Sequence, residues 1–93
     1  MKPTDILTRS TNAAYQSVGE ETILINLNTG EYYTLNDTGS RFWQLLDGQR
    51  TIADCAAVIA GEYDVPPAVV EADLLELAAE FVSEGLAVVS GGP

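Results

Sequence analysis

Three groups of side chains set the chemistry open to this chain: the lone Cys55, the carboxylates Asp73, Glu76, Glu80 and Glu84 along one segment, and the adjacent Tyr32 and Tyr33. A cysteine becomes a nucleophile when a base or cation lowers its thiol pKa. The sequence contains no histidine, and no basic residue stands beside Cys55. That removes the Ser-His and Cys-His pairs and the usual zinc ligand. Cys55 falls on an apolar helical stripe, where burial makes a thiol inert, and a single cysteine forms no internal disulfide. The carboxylates are spaced to share one helix face, but a calcium or magnesium site needs a preorganised oxygen cage, and no EF-hand-like spacing occurs. The expectation is a solvated acidic face without a metal. No P-loop or G-x-G-x-x-G is present, so no catalytic residue and no cofactor are expected. What remains is the tyrosine pair. On one strand its two rings point to opposite faces, so both cannot be core, and tyrosine suits interfaces through its apolar ring and polar tip.

The elements that must hold these groups follow from pattern. The 93 residues suit one domain, and 46% apolar content is enough for one core. Residues 1–12 are polar, mixed and without period, and read as a loose arm. Ala13 to Val18 suits a short strand. From Thr22 to Asn36, TILINLNTGEYYTLN, two alternating runs flank a turn at Asn28-Thr29-Gly30 and predict a β-hairpin. In so short a chain a strand of this hairpin ends the sheet, leaving N–H and C=O groups able to pair with another chain.

The period then becomes helical. Asn36, Asp37 and Thr38 are candidate N-caps for a first helix over about 39–46, with Gly48 as its C′ stop. Thr51 and Asp54 suit a capping box opening a second helix to about Ala60, ended by Gly61. Pro66 and Pro67 open a third, running to about Glu84 and ended by Gly85. Leu86 to Val89 allows a last short strand, and residues 90–93 read as a tail. The order is α+β and winged-helix-like: a three-stranded antiparallel sheet followed by three helices. On the third helix Val70, Leu74, Leu77 and Phe81 stack on one line, and Leu75, Ala78 and Val82 widen the apolar arc to about 160°, beyond the roughly 100° stripe that a core requires. Two readings fit: a well-buried helix, or a helix that packs on the core with one flank and lines a groove with the other.

Fourteen acidic against four basic residues give a net charge of −10. Such a body repels phosphate backbones and anionic membranes, and no segment suits a membrane span or a signal peptide. The expected location is the cytoplasm. A winged-helix DNA-binding regulator is disfavoured by the charge, and the third helix holds no Lys or Arg. A homodimerisation domain fits an open strand edge equally well, so a monomer or weak homodimer is expected.

The tyrosine-rich strand followed by Leu35-Asn36, the Trp43 to Gly48 run, Thr51-Ile52 opening a helix, Tyr63-Asp64-Val65 and the closing Leu86 to Val89 resemble, in order and spacing, the PqqD-like family. The resemblance spans about Ala13 to Val89, the expected domain. It implies a precursor-peptide recognition element of ribosomal peptide natural-product pathways, in which a leader peptide adds a strand to the sheet beside the third helix. Carried onto this sequence, the receiving strand is Glu31, Tyr32, Tyr33, Thr34 and Leu35, and the groove wall comes from Val69, Val70, Asp73, Leu74 and Leu77. Tyr33 and Leu35 would form the floor, and Asp73 and Glu76 would attract a basic leader residue. The chain is most similar to the leader-binding subunit of lasso-peptide systems, which implies as partners a precursor leader peptide and a separate cysteine-protease or other processing enzyme. The alternative within the family is a peptide chaperone of pyrroloquinoline quinone biosynthesis.

Overall fold

The alternating run folds as a hairpin. In the computed structural model, which describes residues 1–90, strand β3 (Glu21–Asn26) pairs antiparallel with β2 (Ala13–Val18) on one side and β4 (Tyr32–Leu35) on the other. Leu24, Thr22 and Asn26 point inward and are buried, while Ile23 and Ile25 lie on the outer face. Asn26 closes the β3–β4 turn: its Oδ1 accepts from the N–H groups of Asn28 and Thr29.

Three helices cover the inner face. Helix α1 (Asp37–Leu45) is capped by Asn36, whose Oδ1 accepts from the Gly39 N–H at 2.9 Å. Helix α2 (Ile52–Tyr63) opens with the expected capping box, Thr51 and Asp54 each accepting from the other's N–H. Helix α3 (Pro67–Ser83) begins with Pro at its first position, where the missing N–H costs nothing. Phe42, Trp43, Ile59, Leu74 and Phe81 join Leu24 and Leu7 in one core, with Trp43 edge-on to Phe81 at 5.4 Å.

The architecture is the expected α+β one, with three antiparallel strands before the helices and a short strand, β6 (Ala87–Val89), at the end. Four details depart from expectation. Within residues 1–12, read as a loose arm, Ile6–Arg9 form a strand, β1, and Leu7 is buried in the core. A further strand, β5 (Asp47–Thr51), lies between α1 and α2, and β5-β1-β6 make a second three-stranded antiparallel sheet. Gly48 is therefore not the C′ residue of α1, whose C-cap is Leu46. It sits in β5 at φ +77°, and a Cβ there would lie 2.8 Å from Thr8 Oγ1. Gly61 does not end α2, which continues to Tyr63 and stops at Asp64 in the left-handed conformation. The Arg41–Glu62 ion pair at 2.7 Å ties that extra turn to α1. Arg9 of β1 donates to the carbonyls of Trp43 and Gln44, a cation at the C-terminus of α1, which fastens the second sheet to the helices. Of the tail expected over 90–93, only Ser90 is described: its N–H donates to the Ile6 carbonyl, and the remaining residues lie outside the described part.

Candidate functional site

Strand β4 ends the β2-β3-β4 sheet. Its register with β3 and the bond from the Asn26 N–H to the Glu31 carbonyl decide which way its backbone faces. Antiparallel pairs alternate between bonded and non-bonded. Asn26 with Glu31 is a bonded pair, so Tyr33 and Leu35 point their main-chain groups at β3. Tyr32 and Thr34 point theirs at the open edge.

Beside that edge runs a groove walled by α3. Its first section, about 270 Å³, is bounded by Tyr33, Thr34 and Leu35 on one side and by Leu77, Glu80 and Phe81 on the other, with Glu84 and Leu86 at the end. A second section, about 340 Å³, continues past Asn36 and Thr38 at the start of α1 and is walled by Asp73, Glu76, Leu77 and Glu80. Leu77 and Glu80 belong to both, so the sections are contiguous.

Local chemistry holds the two walls apart at this spacing. Asn26 Nδ2 donates to the Glu84 carbonyl at 2.8 Å, tying the end of β3 to the end of α3. The Tyr33 hydroxyl donates to Glu84 Oε2 at 2.8 Å and lies 3.4 Å from Glu31 Oε2. The bond to Glu84, with partial burial and the charge of both carboxylates, pushes the Tyr33 phenol up to about 12. At the junction with α1, a Cβ on Gly39 would lie 3.3 Å from Leu35 Cβ and 3.4 Å from Leu77 Cδ2. Only glycine lets strand, helix start and α3 converge there without displacement.

The ten residues expected to bind do not all meet in this groove. Tyr33, Thr34, Leu35, Asp73, Leu74 and Leu77 line it. Tyr32 is 70% exposed on the outer face of the sheet, and only its backbone faces the open edge. Glu31 stands at the strand entrance beside Tyr33. Val69 is exposed and lines neither section, whereas Val70 is a core residue. Leu74, only 1% exposed, reaches the groove from within the core. Phe81, Glu80, Glu84 and Leu86 were missed, along with Thr38 and Gly39. The signal for Phe81 existed, since it continues the line of Leu74 and Leu77 one turn further along α3.

Other features offer less. A depression of about 230 Å³ under the β2–β3 turn is lined by polar side chains, including Glu20, Asp37 and Arg41, and reaches only the end of the outer strand β2, at Ser17. Cys55 is buried, and desolvation pushes its thiol up to about 11. Among the described residues no helix is long and apolar enough to cross a membrane, and no cluster of His, Cys, Asp and Glu is arranged to hold a metal.

The family model for coenzyme PQQ synthesis protein D (PqqD) matches residues 21–87. No curated protein matches the chain. TbiB1 in complex with the TbiA(beta) leader peptide has a similar structure, with TM-score 0.78 and 28% identity over 92% of this chain and 98% of that one. Lasso peptide synthetase B1 complexed with the leader peptide gives 0.77 and 26%, over 88% and 96%. The PqqD truncation of Methylobacterium extorquens PqqCD, a stand-alone recognition element for ribosomally synthesized, post-translationally modified peptides, gives 0.73 and 21%, over 95% and 99%, a likeness of fold.

Proposed function

This chain belongs to the PqqD family, and on that premise we propose that it binds the leader segment of a ribosomally made precursor peptide by strand addition to β4 and presents it to a separate processing enzyme. The observation that carries the reading is an unpaired strand edge at Tyr32 and Thr34 flanking a groove walled by α3. An extended peptide on that edge gains main-chain hydrogen bonds, while alternate side chains enter the groove. A large apolar side chain seated among Tyr33, Leu35, Leu77 and Phe81 contributes on the order of 1.5–3 kcal/mol, and ordering the leader opposes this. The module performs no chemistry itself. It raises the local concentration of the core peptide at its enzyme, and the buried Cys55 and absence of histidine are consistent with that division of labour.

Lasso-peptide maturation, with a cysteine protease as partner, is the pathway favoured, because both leader-bound structures of similar fold share more identity with this chain than the PqqCD fragment does. A DNA-binding role is disfavoured by the charge of −10 and by an α3 without a single cation. The test is hydrogen exchange with the leader of its precursor peptide. Binding slows exchange at the Tyr32 and Thr34 amides; unchanged exchange at both in a saturated complex rejects strand addition.

A further inference from the structure

Resting on the reading of β4 as a receiving strand, we propose that the groove selects leader segments pairing one large apolar side chain with a lysine or arginine about two or four residues away on the same face. The two sections differ in chemistry. The one beside β4 is lined mainly by Tyr33, Leu35, Leu77, Phe81 and Leu86; its terminal carboxylate, Glu84, is already engaged by the Tyr33 hydroxyl, and Glu80 stands at its boundary with the adjoining section. The adjoining one is walled by Asp73, Glu76 and Glu80, none of which has a side-chain hydrogen bond or ion pair among the described residues.

No cation of the protein stands near enough to neutralise them. Arg41 is held by Glu62, and Arg50 by Asp47. Arg9 is spent on carbonyls of α1 and the Tyr15 hydroxyl, and Lys2 precedes β1 in the other sheet. None of the four lines either section of the groove. Carboxylates three and four positions apart on a helix are close neighbours and repel, and a groove of one sign focuses its field on an incoming ligand. One cation from the ligand relieves that repulsion where the protein supplies none.

The spacing follows from the walls. Phe81, in the apolar section, lies five positions from Glu76 on α3, which at about 1.5 Å per residue is roughly 7–8 Å, about two strand residues. Side chains an even number of positions apart share a strand face, so both reach the groove together.

The experiment selects a random phage-displayed dodecapeptide library against the protein and remeasures the selected peptides by fluorescence anisotropy. The expected consensus is an apolar residue with Lys or Arg two or four positions away. Changing that basic residue to Gln weakens binding about fivefold at low salt, the scale of a well-placed ion pair, and has no effect on the Asp73→Asn/Glu76→Gln/Glu80→Gln protein. A consensus of apolar residues without a basic one, or an equal loss on both proteins, overturns the basic requirement and leaves strand addition standing. Selected peptides that bind Thr34→Pro as tightly as the parent, or the failure of the folded protein to select any peptide, overturn the strand-addition reading as well.

Discussion

The described residues form two three-stranded antiparallel sheets of similar size, and they differ in how they treat their edges. In β5-β1-β6 both outer strands are poor templates. One is only three residues long, and the other carries a glycine at φ +77°, a register shift against β1 and the charged pair Asp47–Arg50. Short, irregular and charged edges are how proteins discourage unwanted pairing. In β2-β3-β4 the β4 edge is regular, uncharged from Tyr32 to Leu35 and bordered by a groove. The stapling sheet is closed off on both sides, whereas β2-β3-β4 leaves two regular, uncharged edges, and of these β4 is the one that borders the groove walled by α3.

The sharpest test of that contrast separates core from groove on a single helix. Leu74 and Leu77 both line the groove, but Leu74 is buried while Leu77 is partly exposed. Leu74→Asp is expected to destabilise the fold by about 4 kcal/mol or more, since it buries a charge without a partner; urea unfolding reads this directly. Next in size, Thr34→Pro removes an edge donor and places a ring against the incoming strand, which should weaken leader binding by about thirtyfold or more while melting shifts little. Leu77→Asp is expected to cost about tenfold in leader affinity with helicity kept; wild-type affinity in a folded protein would remove α3 from the binding surface.

On the closed side the pattern should invert. Gly48→Ala forces a side chain into a left-handed position and against Thr8, so it should cost about 1–2 kcal/mol of stability and leave leader affinity unchanged. The smallest effect concerns Tyr33, whose phenol is pushed up to about 12. Its folded pKa lies above the ordinary value of 10.0, so its contribution to stability is complete below pH 10 and is lost as pH rises toward 12. Tyr33→Phe should flatten that alkaline decline, and ultraviolet titration of the parent should show one tyrosine ionising last.

The difference between the sheets also marks what the sequence reveals. The hairpin was legible because Ile23, Ile25 and Leu27 alternate with Leu24 and Asn26 ahead of a clear turn, although the face that packs inward is that of Leu24, and α3 because its apolar line from Val70 to Phe81 runs about three turns. Strand β5, Asp-Gly-Gln-Arg-Thr, has no apolar residue at all; it is a strand because β1 pairs with it. Strand β1 buries only Leu7 within four residues, too short a run for a period to emerge. The end of α2 was obscured by Gly61, which a glycine-stops-helix rule overweights when an ion pair 21 positions away in sequence holds the next turn. Within the site, the strand and the middle of α3 were legible. Leu86 was not, because its place in the groove depends on the turn at Gly85 folding the chain back beneath Phe81.

The bond from the Ser90 N–H to the Ile6 carbonyl has one more consequence. It brings the point where the backbone enters the fold alongside the point where it leaves. A unit with neighbouring entry and exit can be spliced into a surface loop of a larger catalyst, or carried at either end of one, without stretching its host. Because those two points lie on the stapling sheet and not at β4, such a graft leaves the receptive flank unobstructed.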